Sequence, residues 1–346
     1  MNRVNRILIG ALAVQVVLVA IVFLPRVFPT SVESAPLFGT VNAEDVTALT
    51  IQDKDGNTVH LARQGDAWVV PSSDDYPADK TKIDAFLNKI IALKTNPLVT
   101  RTSASHKRLK VADDDFERKV DVTLADGASR TVYVGTSSGG GAHVRVGGQD
   151  EVYLASDLTS FDANTQITNW IDSTYFSATQ ESIYGVAIQN ANGAVEFEKD
   201  AAGAWTMKGL AAGEAFNESN FTPMLSRLSS VSLNRPLGKQ LKPEYGLDKP
   251  AAVVTLKAKD DSGSDKTYTL TVGAKDETDN TYVLKSSESA YYVRVAFFAV
   301  EDFVDRSRDV YLQPPPTPTA TPDVTATPEI TATLELTPTL QVTPTP

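Results

Sequence analysis

The chain has 346 residues, 42% of them hydrophobic, which is material for two ordinary domains with cores of their own. Asp and Glu number 43 against 32 Lys and Arg, for a net charge of -11, and this argues against a phosphate-neutralising surface for DNA or RNA. There is no cysteine, so disulfides, thiolate catalysis and Cys-ligated zinc are excluded, and the histidines are three: His60, His106 and His143.

Residues 7–24, "ILIGALAVQVVLVAIVFL", carry no charge and one polar side chain, Gln15. At ~1.5 Å per residue such a helix reaches about 27 Å, close to the hydrocarbon thickness of a bilayer. Arg3 and Arg6 precede the run and Arg26 follows it. The positive-inside bias therefore predicts a single-pass protein of the cell membrane, with residues 1–6 cytoplasmic and the bulk of the chain extracytoplasmic. A cleaved signal peptide shares the basic start and apolar run, but no clean A-x-A site follows and Ser34-Ala35 run into Pro36, so a signal anchor is favoured. Residues 25–40 read as a linker.

The middle of the chain is written twice. "LTIQDKDGNTVHLARQGDAW", ending at Trp68, corresponds to "VAIQNANGAVEFEKDAAGAW", ending at Trp205. After each tryptophan comes an apolar pattern of helical period: Ile83, Phe86, Leu87, Ile90 and Ile91 in one, Phe221, Met224, Leu225 and Leu228 in the other. Asp79 and Asn217 stand where N-caps belong, although Pro223 implies that the second helix starts later than the alignment suggests. Two hairpins follow in each copy. "VDVTLADGASRTVYVG" turns at Asp126-Gly127 and "AVVTLKAKDDSGSDKTYTLTVG" around Asp261 to Gly263. "HVRV" then pairs with "EVYL" across Gly147-Gly148, and "TYVLK" with "AYYVRV" across Ser286 to Ser289. Each copy closes on an aromatic segment, "NWID" (169–172) or "DFVDR" (302–306). The expected fold class is α+β: two tandem, mainly antiparallel β modules, at 41–176 and 180–312, each with one amphipathic helix packed on its sheet. Residues 313–346 hold nine of the 19 prolines and no Lys or Arg, and run as degenerate hexads such as TATPDV and TATPEI. They predict a disordered, partly polyproline-like tail, a spacer open to O-glycosylation on threonine.

Candidate sites each have a bland alternative. Asp53, Asp55, Asn57 and Thr58 suggest a calcium loop, but the second copy replaces both aspartates with Asn190 and Asn192 and keeps only the turn. A two-residue hairpin turn at Asp55-Gly56 and Asn192-Gly193 explains both copies. "GTSSGGGAH" (135–143) lacks the Gly-Lys-Ser/Thr ending of a phosphate cradle and reads as a flexible loop between strands. The runs Asp74-Asp75, Asp113-Asp114-Asp115 and Asp260-Asp261 read as solvated turns, since acid/base pairs need unlike environments. His60 is expected as a packed or edge imidazole, His106 facing water beside Lys107 and Arg108, and His143 without a second histidine at metal spacing. Trp68 and Trp205 could be carbohydrate-stacking platforms, but matched positions favour a shared core. Asn217 begins a possible glycosylation sequon that overlaps a helix cap. No catalytic, cofactor-binding or metal-ligating residue emerges, and no cofactor is expected.

The pattern "L-x-I-x-D-x-D-G-x-x-V-x-L…W", a helix, "V-x-L-x-D-G-x-x-x-T-V-Y-V-G", "V-Y-L" and a closing aromatic-x-Asp segment resembles a bacterial family known as domain of unknown function 4340. Members of that family often accompany gliding-motility-type ABC transporter components. The resemblance covers residues 41 to about 310 and brings no catalytic residues. It implies a non-enzymatic accessory or scaffold protein docking an ABC-type transporter or envelope assembly. The alternatives are a cell-wall or glycan-binding protein, or a hydrolase whose site lies between the copies.

Overall fold

The computed structural model describes residues 3–27 and 34–314. The expected Thr/Pro tail lies outside the described residues from 315 onward. Helix α1 (Arg3–Val27) contains the apolar run at 7–24. Among the described residues no helix is long and apolar enough to cross a membrane.

The remainder is a mixed, mainly antiparallel α+β fold on two large sheets. The first contains β1 (Val46–Asp53), β2 (Thr58–Gln64), β3 (Ala67–Val70), β4 (Tyr76–Ala78), β5 (Leu98–Thr100), β6 (Arg118–Leu124), β7 (Ser129–Ser138), β8 (Gly141–Val146) and β9 (Val152–Ala155). Their order is β4-β3-β2-β1-β6-β7-β8-β9-β5. Helix α2 (Lys80–Ile91) lies between β4 and β5, and the short α3 (His106–Leu109) between β5 and β6. After β10 (Thr174–Ser177) come β11 (Ile183–Asn190), β12 (Gly193–Lys199), β13 (Trp205–Met207), helix α4 (Glu218–Ser229) and β14 (Ser230–Ser232). The chain continues through β15 (Arg235–Gly238), β16 (Ala252–Lys259), β17 (Asp265–Asp276), β18 (Thr281–Ser286) and β19 (Tyr292–Ala296) to helix α5 (Phe297–Val304). The second sheet runs β13-β12-β11-β16-β17-β18-β19-β15. Setting β4 aside, the two sheets follow one strand order, and in each the strand that comes next after the amphipathic helix on that sheet closes the far edge.

Register shows why the sequences match. Leu49 pairs with Leu61 and Ile51 with Val59 in the first sheet, as Val186 pairs with Phe197 and Ile188 with Val195 in the second. All eight are buried, because alternation puts residues of one parity on the core face of each sheet. Helix α2 is capped by Asp79, whose carboxylate accepts from the backbone N–H groups of Thr81 and Lys82, and it buries Ile83, Phe86, Leu87 and Ile90. Helix α4 buries Phe221, Met224, Leu225 and Leu228 in the same way. It starts at Glu218, so Pro223 does not delay it as expected but sits inside it. Pro223 has no N–H to donate to Ser219 O one turn back, and the helix runs on through it to Ser229. The Asn217 side chain makes no capping bond among the described residues.

Gly135 and Gly273, which follow the "VYV" and "LTV" runs inside β7 and β17, are glycines for a steric reason. A Cβ on Gly135 would lie 2.0 Å from Leu109 O, and one on Gly273 2.1 Å from Tyr245 O. In both sheets the segment arriving from the far edge passes with its backbone against this point, and both ladders shift register there.

The halves are joined by more than a tether. Strand β10, between them in sequence, pairs with β14 of the second half. Tyr175 OH donates to Tyr291 O at 2.7 Å and accepts from Ser286 N–H at 2.9 Å. Tyr291 OH in turn donates to Asp75 O at 2.8 Å, and the Tyr76 and Tyr291 rings meet edge-on at 4.7 Å. One cluster of buried apolar side chains runs through both halves. It includes Leu37 and Phe38, because residues 35–37 bond back to 93–95.

Candidate functional site

The apparent calcium loop is a hairpin in both halves, with different turns. In the first, Asp53 N–H donates to Asn57 O across a three-residue loop whose Gly56 has φ of 86°, so the expected two-residue turn is absent there. In the second, Asn190 pairs with Gly193 across the two residues Ala191-Asn192. The side chains explain the Asp-to-Asn exchange. Asp53 is 8% exposed, and its carboxylate accepts from Asp55 N at 3.0 Å, from Asn57 N and Nδ2 at 2.9 Å each, and from Thr165 Oγ1 at 2.9 Å. Burial alone pushes its pKa up, but these donors outweigh that and hold it below the ordinary carboxylate range. Asn190 faces the other polarity. Its Nδ2 donates to Phe303 O at 2.8 Å and Arg306 O at 3.0 Å, at and just beyond the C-terminus of α5, while Asn192 Nδ2 donates to Asp305 O at 2.8 Å. Helix ends leave carbonyls without partners, and of an amide and a carboxylate only the amide can donate to them. In each half this position ties the first hairpin to the closing segment.

Other expectations divide. "GTSSGGGAH" is not a loose loop: residues 135–138 continue β7, and Gly139-Gly140, with φ of 58° and 88°, make a two-residue turn into β8. Two consecutive positive φ values are what such a turn requires, which accounts for the glycines. His106 does not face water. It is buried and its Nε2 lies 2.9 Å from Asp150 O, because α3 packs its ring under the β8–β9 turn. His60 is exposed and bonded to Thr50 Oγ1 at 2.9 Å. His143 is half-buried, with Nδ1 2.8 Å from Thr136 O. Asp113 and Asp114 are exposed, but each holds a partner in the 106–117 crossing or β8: Asp113 takes Arg145 at 2.5 Å and Asp114 takes Lys107 at 2.7 Å. Asp74 accepts from Lys239 N–H at 2.6 Å and so ties the halves together, while Asp260 caps its own turn through Ser262 and Ser264. Trp68 is 1% exposed, and Trp205 is half-buried against Phe221 at 4.8 Å. Trp68 is a core residue, whereas Trp205 also has Lys199 Nζ 5.4 Å from its ring, so the matched positions differ in burial. Among the described residues no three His, Asp or Glu side chains converge as metal ligands.

A cavity of 670 Å³ lies between the halves. Asn57, Thr58 and residues 165–168 of the first half form one wall, and Leu233, Asn234, Arg235, Asp279, Thr281 and Arg294 of the second form the other. Arg235 and Arg294 are direct cross-strand partners on β15 and β19. Asp279 Oδ2 lies 3.3 Å from Arg235, and Asp276 Oδ2 lies 3.5 Å from Arg294. Donation from Thr278 N–H outweighs burial and, with the charge of Arg294, holds Asp276 below the ordinary carboxylate range. Sequence reading missed this arginine pair. The outward parity of "YVRV" was its one signal, and the pairing of residues 59 apart is visible only in the sheet order.

No curated protein and no solved structure matches the chain. The family model described as domain of unknown function (DUF4340) matches residues 68–250, from β3 of the first sheet to just before β16 of the second. That match takes in strands of both sheets and just over half of the chain, and the chain belongs to the DUF4340 family.

Proposed function

We propose that the chain is a membrane-anchored, extracytoplasmic, non-enzymatic accessory protein whose duplicated β-rich modules dock a protein partner, an ABC-type transporter or another envelope assembly. The observation that carries this reading is that what the two halves share is architectural. They have in common a strand order, a buried helix face, paired turn positions and a glycine under a crossing backbone. The cleft where a hydrolase would be sought has one lining carboxylate among the described residues, Asp279, which is engaged by Thr281 and Arg235. A carboxylate pair in unlike environments, the requirement for dividing acid and base work, is not assembled there.

The anchor is supported by α1. Val16, Val17, Leu18 and Val19 are consecutive, hence point around the helix, and are 60%, 56%, 56% and 55% exposed. A helix apolar on every side is stable in a core or a bilayer and not in water. Photo-crosslinkers placed on the exposed faces of both sheets in living cells are expected to capture membrane proteins of the envelope. Capture of none, with the chain present at the membrane and several chemistries tried, would count decisively against docking.

A further inference from the structure

The inter-module cleft holds two arginines whose donors the fold leaves under-used. Arg235 and Arg294 lie opposite each other on adjacent strands, and both line the cleft. Like charges placed opposite on a sheet repel, so the pair is unfavourable unless a counter-charge joins it. The chain's own carboxylates answer this incompletely. Asp279 spends Oδ1 on Thr281 N–H and Oγ1–H, and offers Oδ2 to Arg235 at 3.3 Å. Asp276 spends Oδ1 on Thr278 N–H and offers Oδ2 to Arg294 at 3.5 Å. Arg294 Nη1 reaches Thr281 O at 3.4 Å, and its buried Nε has no partner among the described residues. Two arginines away from the cleft are held more closely: Arg145 makes bonds of 2.6, 3.0 and 2.5 Å, and Arg306 Nε lies 2.6 Å from Asp302; Arg63 also leaves a buried Nε without a partner among the described residues, but it stands alone and lines no cleft wall.

The facing wall is neutral and polar. Beside Ile167, Thr58, Thr165 and Thr168 carry hydroxyls and Asn57 and Gln166 carry amides; Thr165 Oγ1 and Asn57 Nδ2 already donate to Asp53, which leaves Thr168, Gln166 and the remaining acceptor oxygens to meet a hydroxylated ligand. A guanidinium fork matches the two oxygens of a carboxylate or phosphate. We propose that this cleft binds an oxyanion-bearing polyol or sugar, with the anionic group between Arg235 and Arg294 and the hydroxylated remainder against the threonine and amide wall. The site does not depend on the docking reading, since binding here can be present whether or not a protein partner is.

The test is calorimetric titration of the full chain in detergent micelles with glycerol 3-phosphate and with glucuronate, using glycerol and glucose as neutral controls. At least one anion binds and the neutral controls do not; which anion binds tells a phosphate source from a carboxylate one. Arg235→Gln and Arg294→Gln each weaken binding about tenfold or more, and Arg294→Lys, which keeps charge but loses the fork, falls between. Asp279→Asn removes the competing carboxylate and tightens binding, an effect of opposite sign that a purely structural role for these residues would not produce. If Arg294→Gln does not fold, Arg294→Lys and Arg235→Gln carry the comparison. Binding of neither anion, binding unchanged in the arginine variants, or weaker binding in Asp279→Asn overturns the proposal.

Discussion

Exchanging the two equivalent turn residues tests the reading of the first hairpins. Asn190→Asp replaces an amide that donates to Phe303 O at 2.8 Å and Arg306 O at 3.0 Å with a carboxylate that can donate nothing. Two lost hydrogen bonds cost about 1 kcal/mol each, and an anion at a helix C-terminus adds roughly 0.5–1 kcal/mol, for a total of about 3 kcal/mol at neutral pH. Urea denaturation measures it. Surrounding carbonyls raise the pKa of the new carboxyl in the folded state, so the deficit is full above that raised value and shrinks as pH falls through it toward the unfolded one and the group regains an O–H donor. Asp53→Asn behaves differently. Its donors Asp55 N and Asn57 N keep an amide oxygen to bond, so the expected loss is about 1 kcal/mol. Because the wild-type Asp53 pKa is lowered, its contribution is present above the ordinary carboxylate value and is lost as pH falls through the folded one. Excess calcium is expected to leave the wild-type midpoint unmoved. A loss under about 1 kcal/mol for Asn190→Asp, or one that grows in acid, would refute the reasoning.

Three further outcomes follow from the same geometry. Gly135→Ala and Gly273→Ala place a methyl 2.0 and 2.1 Å from a backbone carbonyl, so each should cost about 3 kcal/mol or more in thermal denaturation; a shift below about 2 °C would mean that the crossing segments yield. Tyr291→Phe removes the bond to Asp75 O but keeps the ring against Tyr76, costing about 1 kcal/mol, whereas Tyr291→Ala costs at least twice that; equal losses would assign the joint to the hydroxyl alone. Burial above all pushes the hydroxyls of Tyr76 and Tyr311 up to about 12, so their share of stability is whole below the ordinary tyrosine value and is lost as pH rises through the folded one. Spectrophotometric titration should show a late-ionising fraction among the eleven tyrosines, and a single transition near the ordinary value would contradict this.

What could be read from sequence was set by local periodicity. The pairings Ile51 with Val59 and Ile188 with Val195 follow from alternation around a turn, and the faces of α2 and α4 follow from helical spacing. What could not be read depends on partners remote in the chain. His106, flanked by Lys107 and Arg108, carries every local mark of exposure, and its burial comes from a carbonyl at residue 150. The exchange of Asp53 for Asn190 spoke against a calcium loop but had no explanation in the sequence, because the closing segments that decide it lie 112 and 113 residues away. The arginine pair is hidden for the same reason, since no periodicity in β15 or β19 announces which strand will lie beside it. Pro223 misled because one missing donor does not stop this helix, which runs on to Ser229.

The central claim is that two copies of one module are fused through β10 and a shared core into a single body. Denaturation followed by tryptophan fluorescence tests it directly, in a Trp205→Phe variant that reports on the first half through Trp68 and Trp170, and in a Trp68→Phe/Trp170→Phe variant that reports on the second through Trp205. Each midpoint is compared with that of the same variant followed by circular dichroism, which sees the whole chain. Coincident transitions in both variants are the predicted result. Two separated transitions, with one half melting while the other stays folded, would contradict the shared core and the cleft built on it.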